Sequence, residues 1–240
     1  MSPRKTSLDP ELRRLARKLG VDFYGVADLS PAEEAIVAQG GQALAGYHRA
    51  VSIGIRMVDD IVDLLPEHRQ ERSVAVSYLS HCYDVINDRL DAITSRLAGE
   101  IQNQGMRAMP VSAAGRHDQE RICGLFSNKM AARLAGLGWI GKSCLLVTPA
   151  AGPRVRWASV LTDAPLQPTG APSDEACGKC TECVDICPVG AFTGRAFDAG
   201  EPREARYDAG ACQAYLMKIR KETGWGVCGL CVAACPHGRR

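Results

Sequence analysis

The sequence lacks any apolar run long enough to cross a membrane. Its first 20 residues carry scattered charges and contain no apolar stretch that could form the core of a signal peptide. No uncharged apolar stretch of about 18 residues occurs further along the chain. We therefore predict a cytoplasmic protein with no membrane partner.

The sequence also lacks a strong net charge. Lys and Arg number 29 against 27 Asp and Glu, so the formal charge is +2. A net charge this small does not indicate a nucleic-acid partner. The 240 residues, 46% of them hydrophobic and 23% charged, are typical of a globular protein with one large domain or two small ones.

What the sequence does have is 11 cysteines, and eight of them lie between Cys177 and Cys235. In a reducing compartment, clustered cysteines are more often metal ligands than disulfides. The other three are Cys82, Cys123 and Cys144, which we interpret as small buried apolar residues.

Helix and strand signals alternate through the first two thirds of the chain. Strand patterns occupy residues 22–28, 49–57 and 106–113, and two more follow residue 142. Apolar residues at steps of three and four from Val74 to Leu97 predict one long helix that packs across a sheet. A polar, Pro-rich connector begins at residue 167. We predict an α/β (α+β) domain over residues 1–166 and a small ferredoxin-like module over residues 167–240.

The cysteines of this module follow a recognisable spacing. A C-x2-C-x2-C-x3-C-P run begins at Cys177, the spacing of bacterial ferredoxins, in which three cysteines hold one [4Fe-4S] cluster and the fourth reaches a second. A partial copy near the C-terminus has Trp225 where the register requires a cysteine, and Cys212 is the available substitute. We assign one cluster to a first set, Cys177, Cys180, Cys183 and Cys235, and another to a second set, Cys187, Cys212, Cys228 and Cys231.

Two other interpretations of the cysteines remain open at this point. A zinc ribbon could use the two C-x2-C pairs that begin at Cys177 and Cys228, because tetrahedral zinc takes four thiolates. Zinc would leave four cysteines and both following prolines unexplained. Disulfides are disfavoured in a reducing compartment. Two [4Fe-4S] clusters account for all eight residues.

The segment GLGWIGKS, residues 136–143, matches two nucleotide-binding patterns, GxxxxGKS and GxGxxG. Both patterns need a strand before the loop and a helix after it, so that the helix N-terminus faces phosphate. Here a helix precedes the glycines and an apolar strand follows them. We therefore assign no nucleotide site and expect the glycine backbone to lie close to a flat ligand or to another chain segment.

Several longer stretches carry a family resemblance. AARLAGLGWIGKSCLL, VLTDAPL, CGKCTECVDICPVGAF, CQAYL and GVCGLCVAACP, together with GVDFYGVADLSP and SVAVSYLSHCYDVIND, resemble the epoxyqueuosine reductase family and its relatives, the reductive dehalogenases. The resemblance implies that the N-terminal α/β part holds a cobalamin or other corrinoid and that the clusters reduce its cobalt to Co(I). It also implies the residues that line the corrinoid pocket, namely Tyr78, His81, Trp139, Gly141, Lys142, Thr162 and Asp163.

The chain departs from the family pattern in two places. The acidic residue that serves those epoxide reductases as proton donor falls in register on Ile122, with Asp118 and Glu120 displaced nearby. Asp118 and Tyr78 are the candidate proton donors. The chain also ends five residues after Cys235, without the family's helical-repeat extension. Together with the small net charge, this argues against tRNA as a partner.

Two functions follow as hypotheses. The first is a corrinoid-dependent reductase of a small molecule, in which two clusters supply electrons from a donor of the ferredoxin or flavodoxin type. The alternative is an electron-transfer protein or reductive activator that docks on a corrinoid protein or other redox partner and has no substrate of its own. The large N-terminal domain favours the first hypothesis, whereas the displaced acid favours the second.

Overall fold

The computed structural model describes residues 8–174 and 176–239, so the start of the N-terminal segment lies outside the described residues. Its helices are α1 Leu8–Lys18, α2 Glu33–Gly40, α3 Asp59–Asp63, α4 Leu65–His68, α5 Arg72–Leu79, α6 Val85–Asn103, α7 Asn128–Leu134, α8 Glu182–Asp185, α9 Ala209–Thr223 and α10 Leu230–Ala233. Its strands are β1 Phe23–Asp28, β2 Arg49–Arg56, β3 Ala108–Val111, β4 Trp139–Ile140, β5 Leu146–Val147 and β6 Val155–Thr162. Within these ranges, no helix is long and apolar enough to cross a membrane.

Four of the strands form one antiparallel sheet in the order β1-β2-β6-β3, and β4 pairs separately with β5. Successive side chains of a strand point to opposite faces. Val51 and Ile53 therefore pack with α1 and α6 on one face, whereas Ala50 packs with α7 on the other. This helix–sheet–helix architecture, followed by a cysteine-rich module, confirms the predicted fold class, and the antiparallel order makes it α+β.

The long helix predicted from residue 72 is not continuous. A π-helical turn, Ser80–Asp84, separates α5 from α6. The turn inserts one extra residue, which keeps the apolar stripe buried at Cys82 but leaves Tyr83 39% exposed. His81 is exposed on the same turn. The apolar spacing predicted the buried face but not the change of helix type.

Arg154, immediately before β6, is buried with 1% exposure and holds α3 against the sheet. Its guanidinium donates to Asp63 at 2.6 Å and lies 3.4 Å from Asp59, whose side chain is 8% exposed. Asp59 also pairs with Arg56 at 2.9 Å. A buried charge is stable only when it is paired in this way.

The C-terminal module packs directly on the α/β domain. Thr169 of the connector bonds with the backbone of Val26 on the edge strand β1. Val227 and Val232 of the module belong to the same apolar core as α1, α6 and the sheet. A β-carbon added at Gly229 would lie 2.6 Å from Leu65 and 3.2 Å from the Tyr78 hydroxyl oxygen. The module and the α/β domain therefore share one core.

Candidate iron–sulfur site

The first set of cysteines is held by a loop, a single helical turn and the C-terminal segment. The amide of Cys180 donates to the carbonyl of Cys177 at 2.9 Å, which folds the first C-x2-C pair into a turn. Cys183 lies in α8, and Pro188 follows the run. Cys235 comes after α10, where a short 3-10 turn, Pro236–Gly238, follows it.

The second set is carried by α9, by α10 and by the end of the first motif. Asp208 caps α9 by accepting from the amide of Ala211 at 2.8 Å, which places Cys212 in the first helical turn. Cys228 and Cys231 lie on either side of Gly229, which has a positive φ of 68°. Trp225, where the motif would have another cysteine, lies under the guanidinium of Arg72 at 5.6 Å.

The thiols interact with one another in the same two sets of four. Burial first, and then the other three thiols of the first set, raise the pKa of Cys183 to about 11. Burial likewise raises the pKa of Cys231, and the other three thiols of the second set add to the rise. Cys183 also interacts with Cys231, so the two sets adjoin. The structure thus brings together the eight cysteines that the sequence analysis assigns to the two clusters.

This donor set fits two [4Fe-4S] clusters. Buried thiols that repel one another as thiolates need positive charge between them, and an iron–sulfur core supplies it. The amide of Ala191 already points at the Cys187 sulfur at 3.3 Å, a type of hydrogen bond that tunes such clusters. Among the described residues, no group of three or more His, Cys, Asp or Glu is spaced to hold a single metal ion.

The glycines of GLGWIGKS lie against the chain itself. A β-carbon at Gly138 would overlap the carbonyl of Val147, and one at Gly136 would lie 3.0 Å from Gly170. At Gly141 it would lie 2.9 Å from Val147 and 3.3 Å from the Cys177 sulfur. These glycines therefore allow close approach of another chain segment, which was one of the two expected reasons for them.

The residues that the resemblance implies for a corrinoid pocket belong to three segments of the chain. Gly141 and Lys142 lie at the first set, where the Lys142 ammonium donates to the carbonyls of Gly178 at 2.7 Å and Cys180 at 3.0 Å. Trp139 is buried, with its ring centroid 5.0 Å from that of His237. Tyr78 is buried beside Gly229 of the second set.

The remaining candidates lie elsewhere. The Thr162 hydroxyl donates to the carbonyl of Arg107, and the Asp163 carboxylate accepts from the Arg107 amide at 2.8 Å. Two surface clefts, of about 310 and 530 Å³, are lined by other residues.

Asp118 is half-buried and lies on the loop between β3 and α7. Its backbone pairs with Cys123 in an isolated bridge, and one carboxylate oxygen accepts from the amides of Glu120 at 2.9 Å and Arg121 at 2.8 Å. Ile122 closes the loop with a positive φ of 53°. Arg203 of the cluster module donates to the carbonyl of Ile122 at 3.1 Å, so the loop is fastened to the module.

A group of cations near the second set has no signal in the sequence motifs. Lys129 at the start of α7 is 2.5 Å from the carbonyl of Cys144, and it interacts with Arg203, Arg206 and Cys231. Only tertiary packing brings these residues together, and no spacing in the sequence signals it.

The fold and the thiol sets define a class of protein, an α+β domain joined to a double iron–sulfur module. Residues 176–238 match the family model of the 4Fe-4S double cluster binding domain. The prediction of two [4Fe-4S] clusters is therefore confirmed.

The particular likeness is to epoxyqueuosine reductases and reductive dehalogenases, which confirms the resemblance seen in the motifs. The chain is 28% identical to epoxyqueuosine reductase of Pseudomonas aeruginosa over 94% of its own length and 61% of the relative's. It is also 28% identical to that of Leadbetterella byssophila, over 94% of this chain and 78% of the relative. The chain thus spans less than two thirds of the Pseudomonas protein.

Solved structures share the fold. A catabolic reductive dehalogenase bound to 3-bromo-4-hydroxybenzoic acid has a TM-score of 0.70 at 21% identity, covering 95% of this chain and 31% of its own. A second dehalogenase, described in terms of B12-dependent dehalogenation, has a TM-score of 0.64 at 20% identity, covering 95% of this chain and 31% of its own. An epoxyqueuosine reductase has a TM-score of 0.58 at 22% identity over 96% of this chain and 65% of its own.

The prediction that argued against tRNA is wrong. That epoxyqueuosine reductase is solved with an epoxyqueuosine-modified tRNA-Tyr stem loop. The prediction rested on the end of the sequence soon after Cys235 and on a net charge of +2. Phosphate binding depends on where charges lie on a surface and not on their sum over the chain.

Proposed function

We propose that this chain is an iron–sulfur reductase that acts on an epoxyqueuosine-type nucleoside in a tRNA stem loop. The observation that carries the proposal is the likeness to proteins named epoxyqueuosine reductase over 94% of the chain, with the eight thiols brought together in two sets. The alignment covers the α+β domain as well as the module, so it is not a likeness of ferredoxin motifs alone.

The stoichiometry of the reaction supports this proposal. Reduction of an epoxide to an alkene takes two electrons and two protons and releases water. Each [4Fe-4S] cluster carries one electron at a time, so the two clusters together hold the pair that one turnover needs. Electrons would come from a donor of the ferredoxin or flavodoxin type.

Asp118 is the proton donor in this proposal. It lies on a loop that Arg203 of the cluster module holds by donating to the carbonyl of Ile122 at 3.1 Å. One carboxylate oxygen is engaged with the amides of Glu120 and Arg121, which orients the side chain. A general acid of this kind contributes about 10²–10⁴ in rate.

A corrinoid as the final reducing group is part of the proposal. It is supported by the fold shared with a dehalogenase described as B12-dependent. When bound, a corrinoid would supply a strongly nucleophilic Co(I) centre. No individual residue is assigned to it.

The test uses the cluster-loaded protein, a chemical reductant, cobalamin and a stem loop that contains epoxyqueuosine. We expect mass spectrometry of the nucleosides to show loss of one oxygen atom. Asp118→Asn keeps the oxygen that accepts from the loop amides but cannot donate the acid proton, so the rate should fall by about 10²–10⁴ with little change in stem-loop affinity.

Glu120→Gln is the matched control on the same loop and should retain the rate. The proposal would be refuted if the loaded protein neither deoxygenated nor bound the stem loop. Equal rates for Asp118→Asn and the parent protein would show that Asp118 is not the proton donor.

A second candidate is an electron-transfer protein that reduces a separate corrinoid protein. It is favoured by the internal hydrogen bonds that engage two of the seven implied residues, Lys142 and Asp163. Gel filtration with cobalamin distinguishes the two functions. Retention of cobalamin by the loaded chain supports the reductase, and reduction of a partner corrinoid protein without retention supports the carrier.

A further inference from the structure

Three cationic side chains, Lys129, Arg203 and Arg206, form a cationic group between the α+β domain and the module. The Lys129 ammonium is 2.5 Å from the carbonyl of Cys144. Arg206 is 5% exposed, and its guanidinium lies 4.7 Å from the ring centroid of Phe197.

This cationic group has little negative charge beside it. Among the described residues, Nε and Nη1 of Arg206 and Nε of Arg203 are buried without a hydrogen-bond partner. Within the same ranges, the one ion pair that the group makes is that of Arg203 with Glu204 at 3.0 Å, and the Glu204 side chain is 45% exposed. Burying cations without a counter-charge is costly, so something anionic is expected next to them.

The second set lies next to this group. The Arg206 carbonyl accepts from the Thr193 amide at 3.1 Å, which places Arg206 beside the segment that follows Cys187. Burial first lowers the pKa of the Lys129 ammonium and Arg203 and Arg206 lower it further, whereas the Cys144 thiol and, more weakly, Cys231 raise it. Tyr207, adjacent to Arg206, makes a hydrogen bond with the Cys212 thiol. The amide of Ala191 reaches the Cys187 sulfur at 3.3 Å.

A [4Fe-4S] core of charge +2 held by four thiolates carries a net charge of −2, and one-electron reduction makes it −3. Positive charge nearby stabilises the −3 state more than the −2 state. We propose that Lys129, Arg203 and Arg206 act as positioning residues for electron transfer by raising the reduction potential of the second cluster. This inference concerns the clusters alone and does not depend on the tRNA or corrinoid proposals.

The first set has different charged neighbours. Lys142 donates to the carbonyls of Gly178 and Cys180, and Glu182 adds negative charge beside Cys235. Glu182 in turn pairs with Arg239 at 2.6 Å, and both of these side chains are about half exposed. Solvent weakens the effect of such exposed charges. The cationic group should therefore act on the second cluster and not on the first.

The experiment is a redox titration of the cluster-loaded protein followed by electron paramagnetic resonance. Cys212→Ala, which lacks a ligand of the second set, identifies the signal that belongs to the second cluster. In Lys129→Met and in Arg206→Met, we expect the reduced-to-oxidised ratio of the second cluster at a fixed potential to fall about tenfold, which is about 59 mV for one electron.

Two controls accompany these variants. Lys129→Arg keeps the charge and should keep the potential. Arg195→Gln removes an arginine that is 58% exposed and pairs with Glu201, so both potentials should stay at the parent values.

Unchanged potentials in both methionine variants, at about eight iron atoms per chain, would overturn the inference. So would an equal shift of both clusters. If Lys129→Met does not assemble its clusters, Arg206→Met and Arg203→Gln decide the question by the same readout.

Discussion

The two cysteine sets lie in one small module and have the same ligand chemistry, but their surroundings differ. The first set is flanked by exposed loop residues, including Gly178 and Thr181. The second set packs against the core of the α+β domain, where Cys231 joins the same apolar cluster as Tyr78. Spacing therefore selects the ligands, whereas tertiary packing decides the environment of each cluster.

The largest expected effect separates the two sets directly. Cys212→Ala should remove the second cluster and leave the first, because the substitution takes one of four ligands from a single set. The iron content should fall from about eight to about four atoms per chain, and one paramagnetic signal should remain. Cys82→Ala is the matched control, since Cys82 is buried outside both sets and should keep all the iron. A full iron content in Cys212→Ala would show that Cys212 is not a ligand.

The next effect concerns Arg154, which pairs with Asp59 and packs against the segment that follows Cys235 of the first set. Arg154→Met should lower the free energy of unfolding by about 3–5 kcal/mol, because it leaves the Asp59 carboxylate with less compensation in a buried site. A β-carbon at Gly238 would lie 3.0 Å from Arg154 Nε, so the segment after Cys235 also loses a packing partner. Thermal unfolding, with iron release followed in parallel, should show the first cluster lost before the second.

Asp63→Asn is the control for Arg154→Met. The Asp63 side chain is 52% exposed, so its pair with Arg154 should contribute no more than about 1 kcal/mol. Equal destabilisation by the two variants would contradict the importance of the buried pair with Asp59.

A smaller effect tests how closely the chain packs on the first set. Gly141→Ala places a methyl group 2.9 Å from Val147 and 3.3 Å from the Cys177 sulfur, so it should cost about 1–3 kcal/mol and change the spectrum of the first cluster alone. Gly99→Ala in α6 is the matched control. Nothing lies within 4 Å of its added carbon, and alanine should stabilise the helix by about 0.5–1 kcal/mol. A changed second cluster in Gly141→Ala would refute the separation of the two sites.

The cysteine sets could be predicted from the sequence because their information is local. The motif spacing predicts seven of the eight ligands. Trp225 stands at the eighth position of the motif, so the eighth ligand must come from elsewhere in the chain, and Cys212 is the candidate. The helices and strands were predictable for the same reason, because apolar periodicity reports the buried face of each element.

The sheet order and the cationic group could not be predicted in this way. Strand β6 pairs with β2 about one hundred residues earlier in the chain, and nothing in either strand specifies that partner. Lys129 and Arg206 are likewise remote in sequence, and each is an unremarkable basic residue until folding buries it. The glycines of GLGWIGKS were visible as a motif, but only the structure identifies Val147 and Cys177 as their neighbours.

The smallest effect refines the comparison at a single hydroxyl group. Tyr207→Phe keeps the ring that stacks on Phe192 at 5.1 Å but removes the hydrogen bond to the Cys212 thiol. Such a bond stabilises the reduced, more negative cluster, so its loss should lower the reduced-to-oxidised ratio of the second cluster about threefold, in line with about 0.5–1.5 kcal/mol for one hydrogen bond. Tyr47→Phe, whose ring lies 4.3 Å below the guanidinium of Arg107 on the α+β domain, should leave both potentials unchanged. A shift in Tyr207→Phe as large as that of Lys129→Met would mean that hydrogen bonding, and not buried charge, distinguishes the second cluster from the first.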